Sequence, residues 1–312
     1  MKRILVIGAS GFVGPYLCQN LIDNGYDIFG SKLINQKQNF EGQCVDLNIL
    51  DEDDVFKVLS DIRPDYIIHL AAQSSVKLSW ENPTLTFNIN VMGIVNIFEA
   101  LRKLNLKPRI LIVGSSEEYG KVDKNLIDEN CETDPLNFYA LSKVTQEKIA
   151  LIYHKNYGFD VICARSFNHI GPGQSTQFVV ADFAKQIVEI EKTSQQGNIY
   201  VGNLSAKRDF SDVRDIVNAY RLLIEKGRSG ELYNVGSGNC IAISEILNKL
   251  ISYSNAKINI VVDKNKFRPV DTPEIKANIN KLKKDTDFKA KHNIDETLMG
   301  VLKYFRNKAD EE

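Results

Sequence analysis

The chain has 312 residues, 43% hydrophobic and 25% charged, with a formal net charge of -1. That is enough chain for one large domain or two smaller ones with a sizeable core. The near-neutral balance offers no whole-chain attraction to nucleic acid or to an acidic membrane surface, and no apolar run reaches the ~18 residues of a membrane span. Cys18, Cys44, Cys131, Cys163 and Cys240 are scattered and odd in number, which favours a reducing, cytoplasmic setting. His69, His154, His169 and His292 lack metal-ligand spacing, so no metal is expected.

In chain order, the short apolar run Ile4 to Gly8 follows Met1-Lys2-Arg3 at once. It is too short for a signal-peptide core and reads as a buried strand. Strands are expected over Arg3 to Gly8, Asp27 to Gly30, Gln43 to Asp46, Tyr66 to Leu70, Ile110 to Gly114 and Val161 to Arg165. Helical patterns start near Phe12, Glu52, Pro83 and Asn137. Continuous Ile/Leu/Val strands separated by helices predict an α/β fold, a doubly wound parallel Rossmann sheet. The last third changes character and predicts a smaller C-terminal α/β substrate-binding lobe. Phe167 to Gln174 reads as a loop, Phe178 to Glu191 as a helix and Asn198 to Gly202 as a strand. Asp212 to Lys226 and Ile243 to Ser252 read as helices, Lys264 to Pro273 as a charged loop and Leu298 to Arg306 as a closing helix, with Lys308 to Glu312 frayed. Tyr233 to Ser237 is a short strand that returns to the main sheet, so 208–237 is grouped with 1–166 and apart from 167–207 and 238–312.

Gly8-Ala-Ser10-Gly11-Phe12-Val13-Gly14 follows the first strand and opens a helix. Glycines here permit a tight turn and close approach of backbone to a pyrophosphate, while the helix N-terminus offers N–H groups to it. Such a loop is weak evidence alone and stronger on the first strand of a βαβ unit. After strand two, an acid would favour NAD; this chain has Ser31 and Lys32, which suit a 2′-phosphate and favour NADP while leaving NAD open. Both can equally be solvated turn residues. Asp46, with Leu47 beside it, ends strand three, where a carboxylate can accept from an adenine amine. Leu70, Ala71, Ala72 and Gln73 end strand four at the same edge, the alanines leaving room for a cofactor.

Tyr139-Ala-Leu-Ser-Lys143 stacks a phenol and an ammonium on one helix face. A nearby ammonium lowers a phenol's pKa and suits it to proton exchange. Tyr253/Lys257 and Tyr304/Lys308 share this spacing, so spacing alone is not specific. The first copy differs in lying downstream of a strand that ends Gly114-Ser115-Ser116-Glu117-Glu118-Tyr119-Gly120. Ligands bind at the carboxyl ends of such strands, where a serine hydroxyl can polarise a carbonyl.

HLAAQSSV (69–76), PLNFYALSK (135–143), RSFNHIGPGQ (165–174), FVVADFAKQI (178–187), VGNLSAKRDFSDVRD (201–215), LYNVGSG (232–238) and RPVD (268–271) carry a resemblance along the whole chain. The sequence resembles the extended short-chain dehydrogenase/reductase family, and within it the GDP-mannose-modifying branch. The resemblance implies a homodimer that reduces, with NAD(P)H, the C4 ketone of a GDP-bound 4-keto-6-deoxy-mannose to GDP-D-rhamnose. Ser115 would hold the ketone oxygen, Tyr139 would protonate the alkoxide, and Lys143 would tune the tyrosine and anchor the nicotinamide ribose. Dehydratases of the branch have threonine at the position of Ser115 and a glutamate matching Glu117, so 4,6-dehydration stays open, as does 4-epimerisation on the same fold. Asn168-His169 is followed by Ile170-Gly171-Pro172-Gly173-Gln174, the reductase-like form. The resemblance further implies a GDP-sugar pocket. Arg208 and Arg268 would meet phosphate oxygens, helped by Lys185, and Asp271 would accept from ribose hydroxyls. Asn168, Phe178, Val179 and Gly202 match pocket positions, Ser75 and Lys77 would face the hexose, and Ser116 would also bind substrate.

Overall fold

The structure, a computed structural model, describes residues 1–122, 126–193, 195–267 and 274–311. Among them seven strands form one sheet. They are β1 (Arg3–Ile7), β2 (Asp27–Lys32), β3 (Gln43–Asp46), β4 (Tyr66–His69), β5 (Arg109–Ser115), β6 (Asp160–Ser166) and a later strand, Leu232–Val235, in the order Leu232–Val235, β6, β5, β4, β1, β2, β3. Every neighbouring pair is parallel. The chain leaves β1 toward β2 and later crosses back to β4 on β1's other side, and that reversal opens a crevice at the strands' carboxyl ends.

Alternation along β1 shows why the sheet must be covered twice. Ile4 and Val6 join one core with α1 (Val13–Asp23), while Leu5 and Ile7 join a second core with α2 (Glu52–Ile62). All four side chains are fully buried, as expected for an inner parallel strand. Asp51 caps α2 by accepting from the Asp53 and Asp54 N–H groups, and the helix stops at Arg63 in a left-handed conformation.

After α3 (Val76–Glu81), the helical run from Pro83 is not uniform. It comprises α4 (Pro83–Phe87), a π turn over Asn88–Met92 and α5 (Gly93–Lys103). These 21 residues contain an 18-residue window of mean hydropathy 1.3, long and apolar enough to cross a membrane by length and composition. The sequence reading did not single the run out, because polar residues interrupt it. Half of it is buried, and Ile94, Ile97, Phe98 and Leu101 belong to the second core, which is the placement of a core helix. The long helix α6 (Phe138–Tyr157) packs beside it, capped by Asn137 and ended by Gly158 at φ +65.

Three helices of the last third, α7 (Val179–Thr193), Ile243–Ser252 and Ile294–Glu311, enclose a third core. The segment expected as a loop contains β7 (Asn168–Ile170), which pairs with Phe210–Asp212. A three-residue strand is too short to show a period, which is why it was missed. The expected strand near 198–202 is β8 (Gln196–Val201), paired in parallel with Lys257–Val262. β9 (Lys207–Arg208) lies between Ile241–Ala242 and Glu274–Ile275. The helix Val213–Lys226 instead packs into the first core, beside α1. The closing helix is longer than expected and keeps Lys308 to Glu311 helical. Within the expected charged loop, Lys264–Lys266 forms one 3-10 turn.

Candidate active site

At the carboxyl end of β1 the chain turns through Gly8, whose φ is +87. A Cβ there would sit 2.7 Å from the Ala71 nitrogen, so only glycine lets the loop press against the end of β4. Gly14 is tighter, since its Cβ would lie 2.0 Å from the Ala9 carbonyl oxygen. The loop thus seats the start of α1 against β1. That helix has no side-chain N-cap, so its first N–H groups are presented by backbone alone, which suits a pyrophosphate. Ser10 donates to Gln36 at 2.5 Å. Phe12 stacks on His169 with ring planes 2° apart, and Tyr16 donates to the Pro172 carbonyl at 2.7 Å.

Ser31 and Lys32, read from the sequence as suited to a 2′-phosphate, both have partners within the protein. Ser31 is buried and its hydroxyl accepts from the Gly8 N–H at 3.0 Å, so it braces the glycine loop. Lys32 is ion-paired with Asp46 across neighbouring strands. A phosphate at Lys32, or an adenine amine at Asp46, therefore has to compete with that pair. Leu47 is buried nearby, its N–H donating to the Lys32 carbonyl. Leu70 and Ala71 both donate to the Ile7 carbonyl at 2.9 Å, which holds the end of β4 against β1.

Ser115 ends β5 and caps the 3-10 turn Ser116–Tyr119 that follows. Tyr139 and Lys143 enter from α6, and both are buried. Burial raises the Tyr139 phenol above its ordinary pKa, and a hydrogen bond from Ser115 pulls the other way. The net lowering that the spacing led us to expect does not appear, because burial outweighs it. The Lys143 ammonium donates to the Val113 carbonyl and to Gln146, each at 2.9 Å. Burial brings Lys143 down to about 8, with the Glu118 charge acting against that shift. A phenol held neutral is the right form to donate a proton. Glu117 sits at the same edge and accepts from Asn137, the cap of α6, at 3.2 Å. Ser115, Glu117, Tyr139 and Lys143 thus converge where β5 meets α6, and Ser116 is buried beside them.

Three features were not legible in the sequence. Asn90, inside the π turn, accepts from the Gln73 N–H and donates to Ser142 on α6 and to the Gln73 carbonyl. It ties the end of β4 to the helix that carries Tyr139. Glu118 is fully buried, and Arg165 makes a two-pronged pair with Glu147 at 2.8 and 2.9 Å. The signal for each is a polar residue on a helix face or inner strand that should be apolar.

The second lobe holds the remaining candidates. Asn168 lies in β7, half-buried, and Val179 opens α7 with Phe178 exposed just before it. A Cβ on Gly202 would lie 2.6 Å from the Lys266 carbonyl oxygen, so that backbone approach needs glycine. Arg208 is buried and its guanidinium donates to the Lys207 carbonyl at 2.8 Å. Lys185 is half-exposed on α7 and pairs with Glu189 at 3.5 Å. Lys77 is exposed and pairs with Glu81, while Ser75 caps α3. Arg268 and Asp271 lie outside the described residues.

Residues 5–300 match the family described as GDP-mannose 4,6 dehydratase. Over 313 residues the chain is 30% identical to GDP-6-deoxy-D-mannose reductase of Pseudomonas aeruginosa, spanning 100% of this chain and 99% of that one. Among solved structures, RMD from Pseudomonas aeruginosa complexed with NADPH superposes with a TM-score of 0.87 at 29% identity, covering 99% of this chain and 100% of the other. UDP-glucose 4-epimerase of Thermotoga maritima, solved with UDP-glucose, gives 0.89 at 26% identity, covering 98% and 99%. The chain belongs to the GDP-mannose 4,6-dehydratase family, within the extended short-chain dehydrogenase/reductases.

Proposed function

We propose that this enzyme reduces the C4 ketone of GDP-4-keto-6-deoxy-D-mannose with NADPH, forming GDP-D-rhamnose. The observation that carries the reading is the buried Ser115–Tyr139–Lys143 set at the carboxyl end of β5, facing a glycine loop built for a dinucleotide. A bound nicotinamide supplies the hydride. Ser115 donates to the ketone oxygen, the neutral Tyr139 phenol gives its proton to the forming alkoxide, and Lys143 holds the cofactor ribose. Donors fixed where charge develops lower the barrier most. The loop Gly8–Gly14 and the start of α1, with Ser10, Phe12 and Val13, would hold the pyrophosphate. Support for NADPH over NADH comes from the lack of an acid after β2 and from the Pseudomonas aeruginosa structure solved with NADPH.

The GDP-sugar lies between the Rossmann part (1–166 with 208–237) and the lobe of 167–207 and 238–312. Arg208, Asn168, Phe178, Val179 and Gly202 are its proposed lining, with Ser75, Ser116 and Lys185 as further candidates, and the resemblance adds Arg268 and Asp271 from outside the described residues. Leu85 and Met92 on the 83–103 run and Leu141, Ile152 and Tyr157 on α6 are exposed, and a homodimer through these helices would cover them. We place the enzyme in the cytoplasm, in line with its five free cysteines.

Incubation with NADPH and the 4-keto sugar should consume reduced cofactor and yield a GDP-6-deoxy-hexose with rhamnose stereochemistry. Release of a 4-keto-6-deoxy sugar from GDP-mannose, without added reductant, would point to the dehydratase instead. Glu117 is the group that keeps that second reading open, since its carboxylate at the same strand edge can move a sugar proton.

A further inference from the structure

Beneath the Tyr139–Lys143 pair lies a buried ionic cluster that neither the strand-end chemistry nor the cofactor loop accounts for. Glu118, Glu147, Arg165 and Lys143 are each at least nine-tenths buried. Arg165 is already engaged, donating through two nitrogens to the two oxygens of Glu147. Glu118 therefore has only part of a partner. Its Oε1 accepts from the Ser115 N–H at 2.7 Å, while Oε2 has no hydrogen bond among the described residues and stands 3.3 Å from the Arg165 Nε. Burying a carboxylate so incompletely paired is costly, and a leucine would pack there without that cost. The chain also reserves room for it, because a Cβ on Gly114 would sit 2.3 Å from Glu118 Oε1. Arg165 answers Glu118 by this one contact, and Lys143 is the other buried cation of the cluster.

We propose that Glu118 is a positioning residue for the proton-transfer pair: its buried carboxylate fixes Ser115 through the backbone and supplies the counter-charge that keeps Lys143 an ammonium. This rests on the reading of Tyr139 and Lys143 given above. The groups facing Glu118 are Arg165 and Cys163 from β6, and Glu147, Lys143 and Tyr139 from α6. Burial and the Glu147 charge push the Glu118 carboxyl above the usual carboxylate range, and the Arg165 and Lys143 charges oppose that shift. From β4, His69 faces Lys143, and burial keeps its ring neutral, with a pKa near 3. For Lys143, burial acts to lower the pKa and the Glu118 charge acts against it.

Glu118→Gln keeps the shape and the acceptor for Ser115 but removes the charge. Its basic limb in a kcat-against-pH profile should move down by about one pH unit, so that turnover falls roughly tenfold on the alkaline side and within about threefold on the acid side. Glu118→Asp, which keeps the charge, should leave the limb in place while lowering turnover as Ser115 loosens. An unmoved limb in the Gln variant, or an equal loss at every pH, overturns the assignment. If the Gln variant does not fold, infrared titration of the unaltered protein decides. Absence of a buried carboxylic C=O band across the pH range of full turnover supports an ionised Glu118, and such a band at those pH values overturns it. Tyr139→Phe separates this from the underlying reading: turnover retained in that variant sinks the proton-transfer pair itself, whereas an inactive Tyr139→Phe beside an unmoved Gln profile sinks only Glu118.

Discussion

Tyr139/Lys143 and Tyr253/Lys257 share one spacing and have nothing else in common. Tyr139 and Lys143 lie on a single helix, buried, beneath the end of an inner strand. Tyr253 is where the helix Ile243–Ser252 stops, and Lys257 already begins a strand, so the two do not share a face. The Tyr253 phenol bonds to Asp295, which ties that helix to the last one. The third copy, Tyr304/Lys308, does lie on one helix, but Tyr304 is 36% exposed and, among the described residues, no strand end meets it. Chemistry is assigned by surroundings and not by the interval between two residues.

Substitutions that keep a local feature and change only its surroundings sharpen that contrast. The largest effect is expected at the phenols. Tyr139→Phe should lower kcat by about 10²–10⁴-fold, the range for losing a positioned proton donor, with NADPH affinity nearly unchanged. Tyr304→Phe should leave the same steady-state assay unaltered, and comparable losses at both positions would break the distinction.

Next come the ion pairs. Glu147→Gln strips Arg165 of its two-pronged partner in the interior and should cost about 3–5 kcal/mol in urea unfolding. The Lys57–Asp61 pair at 3.7 Å is exposed at both ends, and Asp61→Asn should not shift the unfolding midpoint measurably.

The smallest contrast is between two glycines with similar backbone angles. Gly25 has φ +80 and open space around it, whereas Gly8 has φ +87 and the Ala71 backbone against it. Gly25→Ala should cost about 1–2 kcal/mol, the left-handed penalty alone. Gly8→Ala should cost more in thermal unfolding and also weaken NADPH binding in titration calorimetry. Equal stability losses with intact binding would show that the loop tolerates displacement.

Much of the Rossmann sheet was legible because its strands are short runs of Ile, Leu and Val bounded by glycine and charge. β1, β4 and β5 fall within a residue or two of where pattern places them. The glycine loop was legible too, since its spacing follows directly from a steric need. What could not be read was partnership across distance. Ser31 looked like a ligand-facing turn residue until Gly8 proved to be its partner. Lys32 looked free until β3 brought Asp46 beside it. Glu118 drew no reading of its own, because the arginine beside it arrives only with β6. Polar residues carry no periodic signature of burial, so their roles emerge only from the assembled fold.

The strand Leu232–Val235 carries a consequence for how the molecule can be made. It covers the outer edge of β6, yet it is reached only after the chain has passed through β7, α7 and β8. A ribosome that has released residue 166 has therefore delivered six strands with the β6 edge still uncovered. An open parallel edge templates pairing with other chains, and non-local closure is slow. A fragment ending after β6 should accumulate in inclusion bodies when expressed alone, and gain solubility once extended past residue 235.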